Sequence, residues 1–91
     1  MDFKMTWAML GEHMDEWSGT SYDQAAVVLK ERVGSAVATS GMAPETQEHF
    51  RQTFLAPLRE SLAAEGPTAI ESGHCWSAAA GPLLVALSPA A

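Results

Sequence analysis

Two clusters of acidic and imidazole side chains, and one cysteine, are the residues of this chain with the types and spacing for chemistry. Glu12, His13 and Glu16 stand together, and Glu45, Glu48 and His49 form a second group. Residues three apart share a helix face, which is why di-iron bundles hold metal with Glu-x-x-His pairs. Here the order differs: His13-x-x-Glu16 reverses the pair and Glu45-x-x-x-His49 stretches it. Glu71-x-x-His74 has the right order but contains Gly73 in an expected turn. The expectation is that the protein needs no resident metal or cofactor. Glu12, His13, Glu16 and His49 are the residues a metal would use. Without one, these groups form a solvated acidic face. Glu45 and Glu48 then suit a helix N-terminus, whereas Glu12, Asp15 and Glu16 at a helix C-terminus call for a cation or a basic partner.

His74-Cys75-Trp76 is the densest group of reactive types. A thiolate nucleophile needs a base placed beside it, and sequence neighbours in a strand point to opposite faces. His74 is therefore not the base for Cys75, although His13 or His49 can approach it through the fold. A lone cysteine in apolar surroundings is most often a small buried hydrophobe. Cys75 stays the one candidate for a reactive or modified side chain. No glycine-rich phosphate loop, Walker-type lysine or Ser/His/Asp ordering is present, so no catalytic residue is assigned and the expectation leans away from an enzyme.

The elements that must position these groups read as helices. Phe3, Trp7, Leu10, Met14 and Trp17 recur at spacings of four and three, within an arc of about 80° on a helix. This seam predicts a first amphipathic helix over about 2–17, opened by Asp2 and closed by Ser18-Gly19. Met5 and Met9 fall on its opposite side, as a second packing or binding surface. Ser21-Tyr22-Asp23-Gln24 matches a capping box and opens a second helix over about 22–38, with Tyr22, Ala26, Leu29, Val33 and Ala36 as its stripe. Pro44 suits the first turn of a third helix over about 44–65, carrying Phe50, Phe54, Leu58 and Leu62. Pro57 predicts a kink or break within it, and Gly66-Pro67 a stop.

After Glu71 the composition changes. Residues 72–91 carry no Asp, Glu, Lys or Arg, and His74 and Cys75 are the only titratable side chains. The expected architecture is mainly α: one domain over 1–91, helical over 1–66, with an uncharged apolar extension over 67–91. The alternative is an α+β arrangement with a C-terminal β-meander over 68–87, its strands near 68–71, 74–79 and 83–87 and its turns at Ser72-Gly73 and Gly81-Pro82.

Composition narrows the function classes. The chain has 91 residues, 47% of them apolar, too many for disorder. A domain this small buries only roughly 60–65% of its unfolded surface, so a lone core is marginal. Five basic against eleven acidic residues give a net charge of −6, which disfavours nucleic-acid binding. One cysteine excludes an intrachain disulfide framework and fits a reducing, cytoplasmic setting. The N-terminus lacks a secretory pattern, and Gly81 and Pro82 interrupt the longest apolar run, so no membrane span is expected.

The leading functional expectation is an acidic helical protein–protein association module, assembling with itself or with a basic protein. Its interface would draw on Trp7, Met14, Trp17, Leu83, Leu84, Val85 and Leu87. The first alternative is a precursor peptide with a helical leader over 1–71 and a modifiable uncharged segment over 73–91. The second is a small oligomeric metal protein or enzyme using the helix-borne Glu and His residues.

Overall fold

A computed structural model of the chain describes residues 2–9 and 13–90, His13 by its backbone alone. It is an α+β protein. The order is β1 (Phe3–Met9), β2 (His13–Gly19), α1 (Tyr22–Ala38), α2 (Pro44–Phe50), a π-helical turn (Arg51–Leu55), α3 (Ala56–Glu71), β3 (Trp76–Ala80) and β4 (Leu83–Pro89). From α2 to α3 the helix is uninterrupted. The strands form one antiparallel sheet in the order β2-β1-β4-β3. The first and last strands of the chain therefore lie side by side at its centre.

This overturns the expected mainly α architecture of three helices. The segment expected as a helix over 2–17 is a β-hairpin, pairing Phe3 with Gly19 and Met9 with His13. Phe3, Met5, Trp7 and Met9 are all buried and alternate with Lys4, Thr6 and Ala8. In a strand, residues two apart share a face. Met5 and Met9, stranded on the far side of a helix, thus join Phe3 and Trp7 in one row.

The second helix starts as expected: the Gln24 amide donates to Ser21 Oγ at 3.2 Å. Its buried ridge is Ala25, Leu29, Val33 and Val37. The third helical segment extends beyond 65, to Glu71, with Pro67 inside α3. Gly66 does not stop the helix because it is the point where the helix touches the sheet. A Cβ there would stand 2.8 Å from Leu87 Cδ1. Leu58, Leu62, Gly66 and Ile70 form the buried ridge on either side of that contact, so burial of Ile70 carries the helix through the proline. At Pro57 the helix neither breaks nor ends. One residue before it, the Ala56 amide donates to the Arg51 carbonyl, an i→i+5 bond. The wider π turn absorbs the register change that a proline without an amide hydrogen imposes.

The C-terminal segment is no appendage. Residues 68–71 are helical, whereas β3 and β4 join at Gly81-Pro82. Gly81 has φ +56°, fitting the first central position of a two-residue hairpin turn, and a Cβ there would collide with the Phe54 ring at 2.5 Å. β4 then pairs along its whole length with β1.

All helices cover one face of the sheet, giving two layers. Between them lie the four β1 residues, Leu83, Val85 and Leu87 of β4, Trp76 of β3, and the helix ridges. At the β2 end, Phe3 stacks on Tyr22 at 4.6 Å and meets Trp17 edge-on at 5.8 Å. The Tyr22 hydroxyl is buried with no hydrogen-bond partner among the described residues. Burial, and secondarily the charge of Glu71, push its pKa above the ordinary value of 10.0. In alkali the unfolded chain loses this proton first. Stability therefore falls as pH rises from about 10 toward the native pKa. Tyr22 is the only tyrosine, so tyrosinate absorbance reads it directly. Titration of the folded chain is expected to give a midpoint above that of the urea-unfolded chain, and Tyr22→Phe is expected to remove this part of the alkaline loss.

Candidate functional site

With the helices all on one side, the other face of the sheet has no layer over it among the described residues. Strand alternation places Lys4, Thr6 and Ala8 of β1 there, with Met14, Glu16 and Ser18 of β2, Ser77 and Ala79 of β3, and Leu84, Ala86 and Ser88 of β4. The register sorts these into rows. Ala8 lies opposite Met14 on one side and Leu84 on the other, and Leu84 lies opposite Ala79. This row, Met14–Ala8–Leu84–Ala79, crosses the whole sheet and is wholly apolar. Met14 is 79% exposed and Leu84 48%. The next row, Glu16–Thr6–Ala86–Ser77, is small and mostly neutral.

Electrostatically the face is quiet. Among the described residues its only charged side chains are Lys4 and Glu16, which pair with each other at 2.9 Å. On a chain of net charge −6, this is a neutral surface some four strands wide. Relief is provided by side-chain size: Met14 and Leu84 stand up on either side of Ala8, and a hollow beside Met14 is lined by Thr6 and Glu16.

The residues expected to form an interface divide between the two faces. Trp7 is 1% exposed, and Leu83, Val85 and Leu87 are fully buried. They belong to the core, covered by this chain's own helices. Trp17 is half-buried against Phe3. Met14 and Leu84 alone of the seven stand exposed on the open face. Ala8, Ala79 and Ala86, which complete that surface, were missed. Their signal was the alternation within 3–9, 76–80 and 83–89, which places them on one side once all three segments are strands.

The expected metal ligands are not brought together. Glu12 and the His13 side chain lie outside the described residues. Glu16 is on the open face with Lys4. His49 is on α2, where Nδ1 lies 3.4 Å from Thr53 Oγ1 and the ring meets Phe54 edge-on at 6.0 Å. Among the described residues no three His, Cys, Asp or Glu side chains converge. Cys75 is exposed, just before β3. The uncharged segment that composition marked as modifiable supplies an inner strand and an edge strand of the sheet. No helix among the described residues is long and apolar enough to cross a membrane.

Compared with known proteins, the chain matches no family model, no curated protein and no solved structure.

Proposed function

We propose that this protein is a small acidic association module that pairs with a second copy of itself through the open face of its sheet, without catalysis of its own. The apolar row Met14–Ala8–Leu84–Ala79 carries this reading, because an uncovered apolar row across a sheet gains by excluding water against another surface. Charge favours a second copy as the occupant. Two chains of −6 repel wherever their acidic surfaces meet. The open face, with one internal ion pair, lets them approach without that cost. Side-chain size supports the same choice: Ala8 is small and lies between Met14 and Leu84 in the row, so a two-fold axis lets Leu84 of each copy rest over Ala8 of the other, as an isologous contact requires.

The size of the face sets the strength. Four strands at ~4.8 Å and seven residues at ~3.3 Å span roughly 19 by 23 Å, or about 440 Å² per partner. Standard interfaces bury about 800 Å² per partner. The dimer is therefore a reversible one, populated as concentration rises. A basic protein is the alternative occupant, drawn by the surrounding negative charge, and nucleic acid is disfavoured by it. A single exposed thiol suits a reducing, cytoplasmic setting.

Light scattering coupled to size exclusion over about a hundredfold range of concentration tests this. The mass is expected to climb from 9.7 kDa toward twice that value. Leu84→Lys is expected to hold the chain at the monomer mass with the melting temperature of the dilute, monomeric parent, because Leu84 lies outside the core. A monomer at every concentration, or a dimer indifferent to Leu84→Lys, overturns the reading.

A further inference from the structure

The chain has five basic residues in all, and three of them, Lys30, Arg51 and Arg59, line one cleft of about 270 Å³. It lies between α1 and the π turn, on the helical side of the molecule and away from the open sheet. Gln52, Leu55 and Ala56 complete its walls, and no carboxylate is among them. In a chain with eleven acidic residues, cations are stabilised most readily beside acids. Gathering three of the five around a carboxylate-free cleft works against that tendency.

The π turn helps bring them together. Eight residues of regular α-helix sweep ~800°, leaving Arg51 and Arg59 about 80° apart around the axis. The turn over Arg51–Leu55, with its i→i+5 bond, winds less per residue and closes part of this gap. Pro57, two residues past the turn, has no amide hydrogen with which to restore the regular bond. π turns of this kind recur at functional sites.

The cations are also held in position. Arg59 Nε donates to the Ala26 carbonyl at 3.2 Å, which ties α3 to α1 and leaves both terminal guanidinium nitrogens free of that bond. Ala26 and Lys30 are one turn apart on α1, so Lys30 rises beside the tethered Arg59. Outside the cleft, Glu48 takes the Gln52 side-chain amide at 2.7 Å and stands 3.7 Å from Arg51 Nη1. This carboxylate orients both residues while lowering the net charge around the site. Among the described residues Lys30 has no ion-pair partner.

We infer that this cleft binds an organic anion. A phosphate or carboxylate head sits among Lys30, Arg51 and Arg59, and an apolar body rests on Leu55 and Ala56. Guanidinium groups present paired donors that match either head group, and the buried Leu55 and neighbouring Ala56 supply the apolar floor. This inference goes beyond the association proposed above and uses a different surface.

The test is amide NMR titration of the full chain with phenyl phosphate and with phenylacetate, at ionic strength held constant with sodium chloride. Saturable shifts are expected at Lys30, Gln52 and Leu55, and the tighter of the two probes identifies the head group. Inorganic phosphate is expected to bind at least about tenfold more weakly than the preferred organic probe. Lys30→Gln combined with Arg51→Gln is expected to weaken binding by about tenfold or more, and Lys30→Arg to retain it. Both changes are at solvent-accessible side chains, and an unchanged spectrum elsewhere verifies the fold. Absence of saturable shifts with both probes, equal binding of inorganic phosphate, or full binding by the double variant overturns the inference.

Discussion

Removing residues 81–91 is expected to abolish the fold, leaving a chain with no cooperative thermal transition. β4 pairs with β1 on one side and β3 on the other, so its loss divides the sheet and leaves β3 without a partner strand. Leu83, Val85 and Leu87 are each fully buried, and burial of such side chains contributes about 1.5–3 kcal/mol apiece. Their sum approaches or exceeds the low end of the ~5–15 kcal/mol that holds a typical domain together. The loss of backbone pairing along both edges of β4 comes on top. Far-UV circular dichroism and amide NMR dispersion of residues 1–80 are the measurements. A truncated chain that keeps dispersed resonances and melts cooperatively would show that β4 is dispensable. An apolar extension appended to a helical domain over 1–66 would have been dispensable to the fold of that domain. A central strand is not.

Trp7→Ala is expected to cost about 3–5 kcal/mol, whereas Trp7→Phe stays within about 1 kcal/mol of the parent. Trp7 is at the heart of the sheet's helix-covered face, opposite Val85 and Asp15. Alanine there removes nine ring atoms and leaves a cavity that the two layers close only in part. Phenylalanine keeps a six-membered ring and also removes the indole Nε1, a buried donor with no hydrogen-bond partner among the described residues. An unmade bond of that kind costs ~1–3 kcal/mol, so deleting the donor offsets much of the lost ring volume. Urea unfolding of the three proteins, compared at a common slope, separates the two contributions. A loss for Trp7→Phe in proportion to the ring atoms it removes would mean that ring volume alone matters at this position.

Much of the helical layer was legible locally. Ser21 with Gln24 announced the start of α1, Pro44 the start of α2, and Gly81-Pro82 the β3–β4 turn. These signals are local because a cap or a turn is completed within a few residues. The charge-free run after Glu71 also marked where the composition changes. The basic cleft was partly legible: Arg51, Leu55 and Arg59 are four apart. Lys30, however, joins them only through the packing of α1 on α3.

The N-terminal segment was misread for a physical reason. Phe3 and Trp7 are four apart, a spacing that one helical turn and two strand repeats satisfy equally. Leu10, Met14 and Trp17 extended the helical seam. Met5 and Met9 extended the strand, and nothing within those seventeen residues ranks one pattern above the other. The choice falls to β4, which arrives roughly eighty residues later and supplies β1 with a partner along its length. The same contact carries α3 past Gly66-Pro67, since Leu87 fits against a residue with no side chain. Composition and local spacing thus set the charge, the caps, the turns and the amount of apolar surface to be buried. Which face each residue turns inward, and hence which apolar row the helices leave uncovered, depended on the pairing of the two ends of the chain, because hydrogen bonding between distant strands leaves no periodic mark on either one alone.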